Sequence, residues 1–144
     1  MFQVDETVHV PYSCAKMFLL VSNIEAYPEF IGWCDHAQIL AKQEDQVTAE
    51  IGFSVLGTDF TFATINSMDE PNSIRMTLSN GPFKHLDGVW QFVPTTAGHC
   101  ELSLTLGFDF SQRWLAATAG PLFQKAVKKM VTEFVSRAHE VYSA

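Results

Sequence analysis

Apolar and polar residues alternate along most of this chain. Val47, Ala49, Ile51, Phe53 and Val55 alternate with Thr48, Glu50, Gly52 and Ser54, and Phe60 and Phe62 follow the turn Leu56-Gly57-Thr58-Asp59. Ile74, Met76 and Leu78 repeat the pattern up to the turn Asn80-Gly81-Pro82. Trp90 and Phe92 share a face of the next run, and Leu102, Leu104, Leu106, Phe108 and Phe110 share a face of the last. A period of two over several short runs predicts antiparallel strands with one buried and one wet face, spanning about residues 35 to 110. No helical stretch separates these runs, which excludes βαβ crossovers and favours a meander.

After residue 110 the period lengthens. Leu122, Ala126, Met130, Phe134 and Ala138 form one helical stripe, widened by Phe123, Val127, Val131 and Val141. Gly120-Pro121 predicts a break or kink, with Trp114–Ala119 as a separate helical piece before it. The part after Pro121 spans roughly 30 Å, enough to cross a sheet. At the other end, Gln3–Val10 reads as a first strand. Ser13 caps a short helix carrying Met17, Phe18, Leu20 and Val21. Residues 26–31 form a second short helix with Pro28 in its first turn, where a carboxylate such as Glu29 suits the helix dipole. The expectation is an α+β chain organised as one domain over residues 1–144, a curved antiparallel sheet closed by a long C-terminal helix.

The inward face is rich in aromatics: Phe53, Phe60, Phe62, Trp90, Phe92, Phe108 and Phe110 point toward Phe123 and Phe134. Two readings follow. The face is a solid core, or it surrounds a ligand cavity that the short helices before residue 34 close at one end.

Composition narrows the function classes. The apolar content of 47% and charged content of 17% describe a folding chain. The net charge of −7 disfavours DNA or other generic nucleic-acid binding, which relies on basic side chains against phosphate. The charge is uneven: residues 111–144 hold Arg113, Lys125, Lys128, Lys129 and Arg137 against only Glu133 and Glu140. Lys125, Lys128, Lys129 and Arg137 are thus the candidate partner-binding residues, on the outer face of the last helix. The first residues have neither a basic nor an apolar targeting region, which predicts no secretory signal. Cys14, Cys34 and Cys100 form no paired spacing, so three free thiols in a reducing cytoplasm are expected.

Catalytic chemistry is hard to assemble. His9, His36, His85, His99 and His139 are scattered. Cys34-Asp35-His36 gathers three ligand types, but adjacent strand residues point to opposite faces. No metal-ligand spacing, nucleophile elbow or phosphate-binding loop occurs. No catalytic residue and no covalent or metal cofactor is expected, and Asp109, between Phe108 and Phe110, reads as an outward-facing carboxylate or ion-pair partner.

Several motifs in order resemble one family. Val10-Pro11-Tyr12-Ser13, Met17-Phe18, Tyr27-Pro28-Glu29-Phe30 and Trp33-Cys34 resemble the N-terminal signature of coenzyme Q-binding and RatA-like proteins. Gly81-Pro82-Phe83-Lys84 with Leu86, Gly88, Trp90 and Phe92 resembles their central motif, and Phe108-Asp109-Phe110 and Arg137-Ala138 with Val141-Tyr142 their ending. The resemblance implies a START-like helix-grip fold with two short N-terminal helices. It also implies a non-enzymatic role, binding ubiquinone or a related isoprenoid lipid in support of respiration, with transient contact at the inner membrane. The alternative it implies is association with the large ribosomal subunit that blocks its joining to the small one. Superfamily analogy adds polyketide cyclisation, which would require an acid or base facing the cavity.

On the matching positions, Tyr27, Pro28, Phe30, Trp33, Pro82, Phe83, Leu86, Trp90 and Phe92 are ligand-binding candidates, joined by Phe53, Phe62, Phe108 and Met130 from the inward face. Pro28 and Pro82 would shape the entrance. Phe30, Trp33, Phe83 and Leu86 would form its lip, and Trp90, Phe92, Phe108 and Met130 would line the interior. Residues 53–60 depart from the basic character of RatA-like members, carrying no Lys or Arg.

Overall fold

The computed structural model describes residues 1–143, with the side chain of Val55 excepted; the expected inward placement of Val55 lies outside what is described. The strands are β1 (Phe2–Val10), β2 (Cys34–Gln43), β3 (Gln46–Val55), β4 (Thr58–Asp69), β5 (Ser73–Asn80), β6 (Phe83–Pro94) and β7 (Cys100–Phe110). They form one seven-stranded antiparallel sheet in the order β1-β7-β6-β5-β4-β3-β2. Strands β2 to β7 are a meander, and β1 returns alongside β7. Two-residue turns join β2 to β3, β3 to β4 and β5 to β6. At the β3–β4 turn both Leu56 (φ 51°) and Gly57 (φ 81°) adopt positive φ, the geometry that matches strand twist in a hairpin. Register shifts at Cys34/His36 and Ile39/Ala41 in β2, at Ala63/Thr64 in β4 and at Phe83/His85 in β6 curve the sheet.

Two helices and a 3₁₀ segment cover the concave face. Helix α1 (Cys14–Ser22) starts at Ser13, whose hydroxyl accepts from the Lys16 amide at 3.2 Å, and buries Met17, Phe18, Leu20 and Val21 as expected. The second expected helix is a 3₁₀ segment, Ile24–Glu29. Pro28 and Glu29 stand in its last turn rather than its first. Glu29 therefore gains nothing from a helix N-terminus and pairs instead with Arg137.

Helix α2 is one continuous helix, Arg113–Tyr142. The expected break at Gly120-Pro121 is absent, because the surrounding packing holds the chain helical across the missing N–H of Pro121. Gly120 is required here for another reason: a Cβ on it would lie 2.1 Å from Cζ of Phe2, so bare backbone is what lets α2 settle on β1. Gln124 Nε2 ties the same pair by donating to the Gln3 carbonyl at 2.7 Å. The buried stripe runs through Phe123, Val127, Met130, Val131, Phe134 and Ala138, while Leu122 and Val141 are half exposed, contrary to their expected inward role. The stripe is centred one position off the expected one, since β1 and β7 present the surface that α2 meets. Asp109 faces out and pairs with Lys84 at 3.7 Å. The fold is the helix-grip arrangement, with a continuous apolar core between sheet and helices.

Candidate ligand-binding site

The space between sheet and helices divides into two zones. At the end where α2 begins, the aromatics pack on one another. Phe123 sits at the centre, with the rings of Phe53 and Phe108 both at 5.1 Å, Phe83 at 5.5 Å, Phe62 at 5.9 Å and Phe110 at 6.3 Å. Most of these contacts are tilted or edge-to-face, the arrangement that aromatic quadrupoles favour. This half is solid.

Further along the helix an apolar cavity of about 70 Å³ remains, walled by Ile24 and Tyr27 below α1, Ile51 and Met76 on the sheet, and Val127 and Met130 on α2, among others. Of the sequence candidates, Tyr27, Trp33, Phe62, Leu86, Trp90 and Met130 stand on its wall. Phe53, Phe83 and Phe108 do not; they belong to the aromatic zone around Phe123. Phe92 lies against Phe18, with ring centroids at 5.2 Å, and also stands off the wall. The expected lip is only half present. Phe83 and Leu86 are both 4% exposed, whereas Phe30 and Trp33 reach the surface. Pro28 is exposed in the 3₁₀ segment, and Pro82 lies in the β5–β6 turn.

Sequence reasoning missed the polar part of the wall. Thr64 and Asn66 line the cavity and are the buried polar residues of the core, 6% and 5% exposed. They continue the alternation of Phe62 along β4, so a period-two reading carried two residues further points to both. Tyr27 is polar too, but its hydroxyl donates to the Val21 carbonyl, and burial pushes its phenol pKa upward. Trp33 contributes a buried indole N–H with no hydrogen-bond partner.

Residues 24–33 close the cavity from outside and are held to α2 by polar contacts. Arg137 donates to Glu29 Oε1 at 2.9 Å and lies 5.0 Å over the Phe30 ring. Glu133 Oε2 accepts from the Gly32 amide at 2.9 Å, while its Oε1 is buried without a partner. Arg137 is thereby engaged, unlike Lys125, Lys128 and Lys129, which are exposed and form no ion pair among the described residues.

Among the described residues no group of His, Cys, Asp and Glu is arranged to hold a metal. His36 instead pairs with Glu50 at 3.0 Å. The three cysteines are free thiols, but Cys14 and Cys100, far apart in sequence, bring their Sγ atoms to 3.2 Å.

Residues 10–135 match the family model described as polyketide cyclase / dehydrase and lipid transport. The chain belongs to this family. It is 38% identical over 142 residues to the ribosome association toxin RatA of Escherichia coli K12, covering 99% of this chain and 90% of that one. It is 24% identical to the mitochondrial coenzyme Q-binding protein COQ10 homolog B of Xenopus laevis, covering 97% of this chain and 59% of that one. Its fold matches a START superfamily protein from Mycobacterium smegmatis with a TM-score of 0.78 at 21% identity, over 96% and 98% of the two chains. No described helix is long and apolar enough to cross a membrane.

Proposed function

We propose that the protein is a non-catalytic binder of a hydrophobic ligand, an isoprenoid quinone or related lipid, collected at a membrane surface and carried in its internal cavity. The observation that carries this reading is the cavity wall itself. It bears no carboxylate, imidazole, amine, guanidinium or thiol, and its one phenol is committed to a backbone carbonyl. General acid–base catalysis needs a titrating group within reach of substrate, so this wall favours binding over cyclisation. The volume of about 70 Å³ lies well below the roughly 300–1,000 Å³ of pockets that enclose drug-sized ligands. Uptake therefore requires the wall to yield, and residues 24–33, whose polar ties to α2 run through the Glu29–Arg137 and Gly32–Glu133 contacts, are the part we propose moves. Native mass spectrometry of protein purified from its own host, followed by lipid identification, tests the reading. A co-purifying apolar molecule is expected. Protein free of lipid that also takes up no quinone on titration overturns it.

A second reading is favoured by the identity to the ribosome association toxin and by the row of exposed lysines on α2 that are unpaired among the described residues. In it, Lys125, Lys128 and Lys129 face phosphate on the large ribosomal subunit in the cytoplasm. Overproduction should then shift sucrose-gradient profiles from joined ribosomes to separate subunits; an unchanged profile overturns it. The two readings are compatible, because the lysines and the cavity occupy opposite sides of α2.

A further inference from the structure

We infer that the cavity takes its ligand with a neutral carbonyl group at the buried end, hydrogen-bonded to the side-chain amide of Asn66, whose orientation Thr64 sets. This rests on the ligand-binding reading above and names the head group that the site selects.

The argument starts from register. Phe62, Thr64 and Asn66 occupy alternate, inward positions on β4. Thr64 stands opposite Ala49 of β3, and Asn66 opposite Met76 of β5. The small Ala49 side chain leaves the wall open beside Thr64, and the register shift at Ala63/Thr64 falls at the same point. Two polar side chains are thus placed, almost wholly buried, on an otherwise apolar surface. Such groups are unfavourable in an apolar interior unless their hydrogen bonds are made.

Here the bonds are half made. Thr64 Oγ1 donates to Asn66 Oδ1 at 2.8 Å. That contact orients the amide and leaves its NH₂ group with no partner among the described residues. This NH₂ and the Trp33 indole N–H, the other unpartnered polar group of a wall residue, are both donors, and their complement is an acceptor. A ligand carbonyl supplies one without adding a proton that needs a partner of its own. No Lys, Arg or His lines the cavity, so a carboxylate or phosphate head would be buried without a counter-charge. Fatty acids and phospholipids are excluded on that ground. An ammonium head is excluded as well, since it would meet a donor. What remains is a neutral carbonyl compound with an apolar body, and the selection follows a general rule: a site built to hydrogen-bond one group discriminates strongly against analogues that lack it.

The test uses calorimetric titration of the full chain with three probes: a 1,4-benzoquinone bearing one isoprenyl substituent, a benzene bearing the same substituent, and oleate. Wild-type protein should bind the quinone about tenfold or more tighter than the benzene, and oleate weakest. Asn66→Leu should remove the preference for the quinone over the benzene, with circular dichroism and the urea midpoint as the check on folding. Thr64→Val should lower quinone affinity part of the way. In the infrared, the carbonyl stretch of bound ¹³C-labelled quinone should shift to lower wavenumber in wild type and not in Asn66→Leu. Equal affinity for quinone and benzene in wild type overturns this inference and leaves the apolar-cavity reading standing. Loss of both ligands in Asn66→Leu overturns it by making the residue structural. Failure of wild type to bind either aromatic probe overturns this inference and the cavity reading together.

Discussion

Arg137, near the end of α2, donates to Glu29 Oε1 at 2.9 Å, joining residues 108 positions apart in sequence. The same guanidinium covers the Phe30 ring, and one turn back Glu133 holds the Gly32 amide. These contacts are the fastening between α2 and the segment that covers the cavity. Glu29 is 63% exposed, so the ion pair adds little to global stability, about 0–1 kcal/mol. Its effect is local. Arg137→Ala should raise amide hydrogen exchange in residues 24–33 while moving the urea midpoint only slightly. It should also speed ligand uptake. Exchange unchanged in that segment would show that the fastening is idle.

Trp90 stands on the cavity wall with its ring edge-on to Phe134 at 5.3 Å. Trp90→Ala removes a buried aromatic and should lower unfolding free energy by about 3–5 kcal/mol. Trp90→Phe, which retains an aromatic partner for Phe134, should cost less than half as much. Urea denaturation of the two variants measures the difference.

Gly120 faces the Phe2 ring, which itself stacks on Phe108 at 5.2 Å. Gly120→Ala should destabilise by roughly 1–3 kcal/mol through overpacking, despite the better helix propensity of alanine. Pairing it with Phe2→Ala should recover most of that loss, because the clashing ring is gone. A double-mutant cycle by thermal melting reads the coupling.

Alkaline pH should weaken the fold. Burial, then contact with the Cys14 thiol, pushes the Cys100 thiol up to about 12, and burial pushes Cys34 to about 11, from an ordinary value of 9.0. The folded state therefore holds these protons more tightly than the unfolded chain. Their contribution is fully present below pH 9 and is lost as pH rises through 11 to 12. Tyr27 is displaced in the same direction. Urea midpoints measured against pH should fall above pH 9, and Cys100→Ala should show a shallower fall.

Lys125, Lys128 and Lys129 offer the ribosome reading its clearest variant. Charge reversal at all three should leave thermal stability nearly unchanged, because none is paired among the described residues. Any association with ribosomal subunits should weaken sharply and lose its salt dependence. Gradient co-sedimentation at two salt concentrations decides this.

The elements and their faces were legible in the chain, because alternation and helical spacing are local properties that each segment carries by itself. Period two marked the strands, the lengthened period marked α2, and Ser13 marked the start of α1. Tertiary structure decided the rest. Whether an inward aromatic lines a cavity or fills a core depends on its distance to residues in other strands. Phe123 draws Phe53, Phe83 and Phe108 into a solid cluster, and only beyond it do Ala49, Thr64 and Asn66 leave space. Helix α2, packed on β1, continues through Pro121, where local propensity predicts a break or kink. The contacts of Arg137 with Glu29 and of Cys14 with Cys100 join distant positions, and curvature of the sheet, not spacing in the chain, brings such partners together. Local periodicity determined which face each residue presents; sheet curvature and the placement of α2 decided which neighbours it meets there.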